Sequence, residues 1–490
     1  MNSSIRVSTP LPKIIVRRFL TLAAAGFLLS APHQNASGEE FLAGAAAIDV
    51  TPDVFPIDLR SGKSNYVHDP FHVRSIAFQN GEGRALFTLL DALGVSREET
   101  DEVKEKVSEA TGWPVESMSI SATHTHTAPK TERETPGSQA YREKRYAGMI
   151  ESMTAAINRL APAQVGFGSS DLPEEVYNRR WFLKPGTMPL NPFEQYDEVK
   201  MNPNRNDLLR PAAPTDPEIC VVDVRDRRGR PLAFLANYSL HYVGRVPNVE
   251  HEGRIMGMAS ADYFGEFSRI FPYRIGGSNP PQEFVAMMTN GTSGDINNID
   301  FDRTRAPRAP FEQIRQVASR AADTAWRAIA DVEYAEPAMV ASRQRQITLN
   351  HREVTDTELA FAERMLERLK AGEKDLPNKA DQYARATLNQ PERGETLEVL
   401  IQAYRIGDQA IVTFPFETLV EIGLEIKERS PFPHTFCISL ANGSHGYLPT
   451  PEQHELGGYE TWMGTCRVEK DSSRILTEAL MEMLEELWAL

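Results

Sequence analysis

The chain carries a run in which small polar and apolar residues alternate before two histidines: Ser117-Met118-Ser119-Ile120-Ser121-Ala122-Thr123-His124-Thr125-His126. Because side chains alternate between the two faces of a β-strand, the run predicts a buried strand over 117–126 with both histidines on its apolar face. Two histidines at i and i+2 lie about 6 to 7 Å apart at Cα, so both can bind one metal ion, or one can bind while the other stays beside it. The alternative is a pair of hydrogen-bonded core histidines, which needs several specific partners.

Composition indicates a globular chain with a large core. It has 490 residues, 41% of them apolar, and a formal net charge of −15. This acidic balance argues against a nucleic-acid or anionic-lipid surface, so we expect no nucleic-acid partner. The three cysteines, Cys220, Cys437 and Cys466, are odd in number and far apart. They predict no disulfide framework and no cysteine-based zinc site, and we interpret them as small buried hydrophobic residues.

The N-terminus has the pattern of a targeting segment. A basic stretch precedes an apolar run over 19–31, its cations being Lys13, Arg17 and Arg18. At about 13 residues the run is too short to span a bilayer but suits a signal-peptide core. Arg-Arg-Phe-Leu at 17–20 resembles a twin-arginine signal with imperfect spacing, so Sec and Tat export both stay open. We predict a signal peptide over 1–38 and a mature domain over 39–490 that is periplasmic or secreted, with no transmembrane segment.

Beyond residue 40, short apolar runs alternate with amphipathic patterns, which predicts a layered α/β or α+β domain with central β-sheets flanked by helices. Predicted strands cover 84–90, 117–126, 219–224, 232–241, 284–289, 409–414 and 435–440. Predicted helices cover 98–111, 145–160, 311–332, 356–371, 418–429 and 472–490. The Pro-rich stretches 183–216 and 302–310 indicate long surface loops, and the charged region 351–395 indicates a solvated helical excursion.

Further candidate ligands follow the other predicted strands. His241 ends the strand over 232–241, Glu417 follows the strand over 409–414, and Tyr447 follows the strand over 435–440. Taken singly, such residues are more often structural or capping residues than ligands. A glycine-rich turn at 290–298 suits a close approach of backbone segments. Together these positions provide a third and a fourth ligand beside the histidine pair.

The order of these motifs resembles the catalytic domain of neutral (non-lysosomal) ceramidases and their wider bacterial relatives, over roughly residues 42–490. The motifs are His-Thr-His-Thr from His124, Asn178-Arg179, His241, Ser260-Ala261-Asp262, Gly294-Asp295, Pro415-x-Glu417 and Tyr447. In that family zinc is held by the first histidine of the pair, a second histidine, a glutamate and a tyrosine. The resemblance therefore implies His124, His241, Glu417 and Tyr447 as zinc ligands. It implies His126 as a group beside the metal, either an acid/base or a residue that supports the ligands, and Arg179 as a residue that positions the substrate.

Three departures from the family pattern suggest a divergent bacterial relative with a different substrate. The family's Gly-Asp-x-Ser-Pro-Asn motif has Asn297 at the serine position here. Its Gly-Pro-Gly after the histidine run is replaced by Ala128-Pro129-Lys130. The family's C-terminal β-sandwich has no counterpart, since the chain ends on the helix predicted over 472–490. We therefore expect a ceramidase-like catalytic domain without the sandwich, for which ceramide is a poor substrate.

The chemistry of this set is that of a zinc hydrolase. Zinc that is bound by two imidazoles, a carboxylate and a phenol still has a position for a water molecule. Binding to zinc lowers the pKa of that water toward 7. Asn297 cannot be a nucleophile but can donate to an oxyanion, while His126 shuttles the proton. We expect Asp262 and Asp295 to orient the imidazoles, with a turn or capping role as the alternative for each. We expect His68 to line the pocket.

We therefore predict an exported zinc hydrolase that cleaves an amide (N-acyl) bond in a small molecule, a lipid or a glycoconjugate. An ester or lactone is the less favoured bond. The second function class is a non-catalytic, ligand-binding envelope protein on the same scaffold. Retention of all five of His124, His126, His241, Glu417 and Tyr447 favours the enzyme. The sequence indicates no oligomeric state.

Overall fold

Two β-sheets form the centre of the computed structural model, which describes residues 40–251, 254–279, 283–304, 307–335 and 338–490. The predicted signal peptide over 1–38 lies outside the described residues. The strands are β1 (Phe41–Asp49), β2 (Ile57–Leu59), β3 (Gly62–Ser64), β4 (His72–Asn80), β5 (Gly83–Leu90), β6 (Met118–Ala122), β7 (Ala161–Asp171), β8 (Tyr177–Asn178), β9 (Arg180–Leu183), β10 (Val199–Met201), β11 (Leu208–Pro211), β12 (Glu218–Asp226), β13 (Pro231–Tyr238), β14 (Val249–His251), β15 (Arg254–Met256), β16 (Val285–Asn290), β17 (Ile296–Asn297), β18 (Val340–Asn350), β19 (Thr396–Ile406), β20 (Gln409–Thr413), β21 (Glu417–Thr418), β22 (His434–Ile438) and β23 (Tyr447–Leu448). The α-helices are α1 (Arg97–Thr111), α2 (Pro136–Asn158), α3 (Asp262–Gly276), α4 (Glu312–Arg327), α5 (Asp356–Lys370), α6 (Ala380–Leu388), α7 (Val420–Arg429), α8 (Pro451–Leu456) and α9 (Ser472–Trp488).

The larger sheet has eight strands in the order β16-β13-β12-β7-β1-β4-β5-β6. Its central pairs are antiparallel, whereas the pair at each edge, β13–β16 and β5–β6, is parallel. The smaller sheet has the order β18-β19-β20-β22 and ends in the parallel pair β20–β22. Both sheets are therefore mixed, and a histidine-bearing loop leaves one end of each parallel edge pair of the larger sheet.

Strands of the larger sheet bury both of their faces, which explains their near-continuous apolar runs. In β12, Cys220 and Val222 pack in the core shared with the smaller sheet, while Ile219 and Val221 pack with α3 and α4. The helices α1 and α2 cover the other half of this outer face, and α7 and α9 cover the outer face of the smaller sheet. The result is four layers in the order helices, sheet, sheet, helices, so the predicted layered architecture is confirmed.

The structure corrects several predicted boundaries. The strands predicted over 117–126 and 232–241 end early, at Ala122 and Tyr238. Helix α2 begins nine residues before its predicted start, because Thr135 caps it and Pro136 occupies its first position. The predicted loop over 183–216 contains β10 and β11, whereas the helical excursion predicted over 351–395 is confirmed by α5 and α6. Within the described ranges, no helix combines the length and apolar character needed to cross a bilayer.

Candidate metal centre

The paired histidines lie in the loop after β6 and not on a strand face. β6 ends at Ala122, and the N–H of His124 turns to donate to the Ala92 carbonyl. His124 has a φ of 69°, a left-handed conformation that ends the alternation of side chains. The strand predicted over 117–126 is therefore wrong in its last four residues. The turn nevertheless brings the Nε2 atoms of His124 and His126 to 3.1 Å from each other.

His241, in the loop after β13, completes a cluster of three histidines. One ring nitrogen from each of His124, His126 and His241 lies within 4.8 Å of the other two. The Nδ1 atom of His124 is 2.7 Å from the Leu93 carbonyl oxygen, and that of His241 is 3.1 Å from the Ser293 carbonyl oxygen. Because a carbonyl oxygen only accepts hydrogen bonds, both Nδ1 atoms carry the proton. The Nε2 atoms of these two rings are then free to bind a metal ion.

His126 is held in the opposite tautomer. Its Nδ1 is 3.2 Å from Nη1 of Arg60, which can only donate, so the proton of the neutral ring lies on Nε2. The ring of Tyr242 stacks on the imidazole with centroids 3.7 Å apart. Burial, together with the neighbouring His124 and Arg60, lowers the pKa of His126 well below its ordinary value. His126 is therefore a neutral imidazole at pH 7, with an orientation set from two sides.

Glu417 and Tyr447 face each other across the parallel pair β21–β23. The Oε2 atom of Glu417 is 3.2 Å from Nε2 of His124, and the Tyr447 hydroxyl donates to the carboxylate. Burial opposes ionisation of Glu417, but His124, the Tyr447 hydroxyl and the Arg179 guanidinium outweigh it and hold its pKa below the ordinary value. The other carboxylate nearby in sequence, Glu421, instead accepts from the Gln453 amide at 3.3 Å. Glu417 is therefore the carboxylate at the histidine cluster.

The donor set of this cluster fits a divalent metal ion. His241 Nε2 and Glu417 Oε2 are among several buried side-chain atoms that have no hydrogen-bond partner within the described residues, and both of these residues lie next to His124. A buried polar atom left unpaired costs about 1 to 3 kcal/mol, a cost that a metal ion bound by these two atoms would remove. Nε2 of His124, Nε2 of His241 and the Glu417 carboxylate carry no proton. Such a set of nitrogen and oxygen donors suits a metal ion of the zinc type.

A buried ion network stands behind Tyr447. Nη2 of Arg179 donates to the Tyr447 hydroxyl at 3.0 Å, and its Nε donates to Glu460 at 2.8 Å. Arg180 donates to the second oxygen of Glu460 at 2.6 Å. Burial opposes ionisation of Glu460, yet the two guanidinium groups hold its pKa below the ordinary value. This network fixes the Tyr447 hydroxyl beside Glu417, and sequence reasoning missed its central residue, Glu460.

The two aspartates expected to orient the imidazoles hold backbone segments instead. Asp262 accepts from the N–H groups of Val243 and Gly244 at 3.0 and 2.8 Å, in the loop after the third histidine. Asp295 accepts from the N–H of Val420 at 2.9 Å, at the start of α7. Direct orientation of the rings by these carboxylates is therefore a wrong expectation, because carbonyl oxygens already take the Nδ1 protons. The alternative turn or capping role describes both residues.

Of the two residues His68 and Asn297, both predicted to belong to the site, the structure places only Asn297 at the cavity. His68 is exposed and stacks on the ring of Phe311 with centroids 3.3 Å apart, away from the cavity at the histidine cluster, so it does not line the pocket as predicted. Asn297, in β17, does line that cavity and donates from Nδ2 to Asn202 Oδ1 at 2.5 Å. The glycine-rich turn before it makes the predicted close approach, since a Cβ on Gly294 would lie 2.6 Å from the Glu417 carbonyl oxygen.

A cavity of about 550 Å³ opens beside the cluster and is lined in part by His126, Arg179, Asn297 and Tyr447. A second cavity of about 370 Å³ adjoins it, and the two share the lining residues Met201, Lys379 and Tyr459. The walls of the second cavity are mainly apolar and include Met188, Leu190, Tyr383 and Trp462. The polar site thus shares wall residues with an apolar recess to which the 183–216 segment and the helical excursion contribute.

No protein-family model matches this chain, and no curated protein sequence does. Solved structures with a similar fold include two ceramidases. The neutral ceramidase from Pseudomonas aeruginosa has a TM-score of 0.65 and 16% identity, with 92% of this chain and 75% of that chain covered. A structure described as ceramidase complexed with C2 has a TM-score of 0.67 and 15% identity, with 92% and 76% covered. The mixed α/β fold, a large central sheet flanked by helices, is therefore that of the ceramidase structures, as the motif order predicts.

Proposed function

We propose that this chain is an exported zinc-dependent hydrolase that cleaves an amide bond of an N-acyl compound. The observation that carries this proposal is the convergence of His124 Nε2, His241 and Glu417 Oε2 beside a cavity, with two of these groups left unpaired. The similarity of the fold to ceramidase structures supports an amide as the bond attacked. Export rests on the basic and apolar pattern of residues 1–38.

His124, His241, Glu417 and Tyr447 would hold the zinc ion. A set of three histidines is the other choice the cluster offers. The proton placed on Nε2 of His126 by Arg60 favours the first set, because a protonated nitrogen has no lone pair for a metal. When bound, zinc supplies Lewis acidity, which polarises a carbonyl group and lowers the pKa of water toward 7.

The remaining residues supply proton transfer and positioning. His126 is neutral at pH 7, and its Nε2–H faces the histidine cluster, where it can donate a proton; to accept one, Nδ1 must first give up its contact with Arg60. Asn297 uses one amide N–H for Asn202, and its second N–H can donate to the oxygen that gains charge during hydrolysis. Arg179 keeps the Tyr447 hydroxyl in place and lines the cavity, where it positions the substrate.

The substrate that suits this site is a lipid or another conjugate with an apolar acyl chain. The apolar recess next to the polar cavity can take such a chain, since Leu190, Tyr383 and Trp462 are among its walls. We expect long-chain ceramide to be a poor substrate, because Asn297 stands where the ceramidase motif has serine.

The proposal is tested by metal analysis of the purified protein followed by a hydrolysis screen with N-acyl amides and matched esters or lactones. We expect about one zinc per chain, amide hydrolysis that chelation abolishes, and recovery on adding zinc. Glu417→Gln should lose both metal and activity, whereas Glu421→Gln, a matched change on a carboxylate bonded to Gln453, should keep both. Activity that survives full chelation would contradict the zinc mechanism. Zinc and ligand binding without hydrolysis of any compound would favour the non-catalytic alternative.

A further inference from the structure

The cavity beside the histidine cluster is lined by cations. Arg60, Arg179, Arg245 and Lys379 contribute to its wall, and the described lining residues include no aspartate or glutamate. The composition of the chain would favour the opposite sign, since it has 68 acidic and 53 basic residues. A cationic pocket in an acidic protein is therefore a local feature that composition does not explain.

Three of these four charges are not neutralised within the described part of the chain. Arg179 is paired with Glu460 at 2.8 Å, whereas Arg60, Arg245 and Lys379 make no ion pair with any described carboxylate. Arg60 lies 3.2 Å from Nδ1 of His126, which keeps its charge at the edge of the site. The wall of the cavity therefore has an excess of about three positive charges at pH 7.

The segments that carry these cations are held against the site. Asp262 accepts from the N–H groups of Val243 and Gly244, directly before Arg245. Lys379 immediately precedes α6 and lines both the polar cavity and the apolar recess. The cations thus surround the point where an acyl chain in the recess would join a head group in the cavity.

We propose that the substrate is an N-acyl compound whose amine half carries a negative charge, such as a sulfonate, carboxylate or phosphate. This inference deepens the proposed function and rests on it. Guanidinium groups bind such planar or tetrahedral anions through paired, charge-assisted hydrogen bonds. Arg60, Arg245 and Lys379 are exposed and stay solvated beside a neutral head group, whereas an anionic head group would gain charge-assisted hydrogen bonds from them. The long-range attraction of the cavity would also speed the encounter with an anion.

The test uses probes that contain no amide bond, so it does not depend on hydrolysis. Octane-1-sulfonate and 1-octanol have the same alkyl chain, but the first ends in a sulfonate and the second in a hydroxyl. Calorimetry gives the dissociation constant of each compound from the zinc-loaded protein. We expect octane-1-sulfonate to bind at least about tenfold more tightly than 1-octanol. Its binding should weaken as the salt concentration is raised. Arg245→Gln and Lys379→Gln should each weaken sulfonate binding by about three- to tenfold and leave octanol binding unchanged. Lys374→Gln removes a lysine from the same excursion outside the cavity and should change neither.

A parallel activity measurement separates this inference from the proposed function. N-octanoyltaurine and N-octanoylethanolamine are compared by kcat/KM, and the taurine compound should be preferred by about tenfold or more. Equal binding of the two octyl probes overturns anion recognition, even if both amides are hydrolysed. Tight sulfonate binding that depends on Arg245 and Lys379, without hydrolysis of either amide or of any compound in the hydrolysis screen, upholds anion recognition and overturns the amidase. Octyl phosphate and octanoate, titrated in the same way, rank the preferred anion.

Discussion

Lys104 offers a quantitative test of the energetics of the fold. It lies on α1 with its side chain fully buried, and its ammonium nitrogen has no hydrogen-bond partner among the described residues. Burial, only partly opposed by Asp101, lowers the pKa of Lys104 to about 7. Replacement by methionine keeps the length and the helix propensity of the side chain and removes the titrating group.

The magnitude follows from linkage between protonation and folding. The pKa of an unfolded lysine is about 10.4, so between pH 7 and pH 10 the unfolded chain binds a proton that the folded chain lacks. The stability of the native protein therefore rises with pH over this interval. At 1.36 kcal/mol per pKa unit, the buried lysine costs about 3 kcal/mol at pH 8 and about 1 kcal/mol at pH 10. Lys104→Met should stabilise the protein by these amounts.

Urea denaturation of both proteins between pH 7 and pH 10 measures this difference. Lys106→Met is the matched control, because Lys106 lies on the same helix, is half exposed and contacts Glu109 at 3.2 Å. We expect the control to change stability by less than about 0.5 kcal/mol at every pH. A gain from Lys104→Met that does not shrink as pH rises, or a loss of stability, would refute the assignment of an unpaired buried lysine.

The remaining predictions concern the metal centre. Glu417→Gln should lower zinc affinity by more than about 100-fold, which exceeds the loss seen when a residue that only supports a ligand is replaced. Glu421→Gln should leave zinc affinity unchanged. A competition assay with a chelating dye measures both affinities. Asn297→Ala should slow turnover by about 10²- to 10³-fold with zinc content intact, since it removes an oxyanion donor. His126→Ala should also retain zinc but lose activity, which a metal analysis beside a rate measurement checks. Gly294→Ala should weaken zinc binding because its Cβ would lie 2.6 Å from the Glu417 carbonyl oxygen. Unchanged zinc affinity would mean that the backbone of β21 shifts without displacing the Glu417 carboxylate.

Layer architecture was predictable from local pattern because both faces of the larger sheet are buried. The apolar run at 219–224 predicts a strand, and in β12 its residues do alternate between the inner and outer cores. The strand over 117–126 was predicted too long for a different reason. Serine and threonine occur in strands and also in turns, so the alternation of residues does not reveal the left-handed turn at His124.

The supporting residues of the site could not be predicted, because their roles come from contacts between distant parts of the chain. Arg179 meets Glu460 across 281 positions, and Arg60 meets His126 across 66. Neither Glu460 nor Arg60 belongs to a local motif. The candidate ligands were easier to identify, since each lies at the end of a predicted strand or follows one, and their order along the chain resembles that of a known catalytic domain.

The central claim is that His124, His241 and Glu417, with Tyr447 as the fourth ligand, hold a zinc ion, and anomalous diffraction at the zinc edge tests it most directly. Crystals of the protein prepared with one equivalent of zinc should give one strong peak at about 2.0 to 2.3 Å from a ring nitrogen of each histidine and from the Glu417 carboxylate. His126 should lie beside this peak without bonding to it. A peak bonded to all three histidines and not to Glu417 would contradict the assigned ligand set. Active crystals with no peak at the cluster would contradict the metal centre itself.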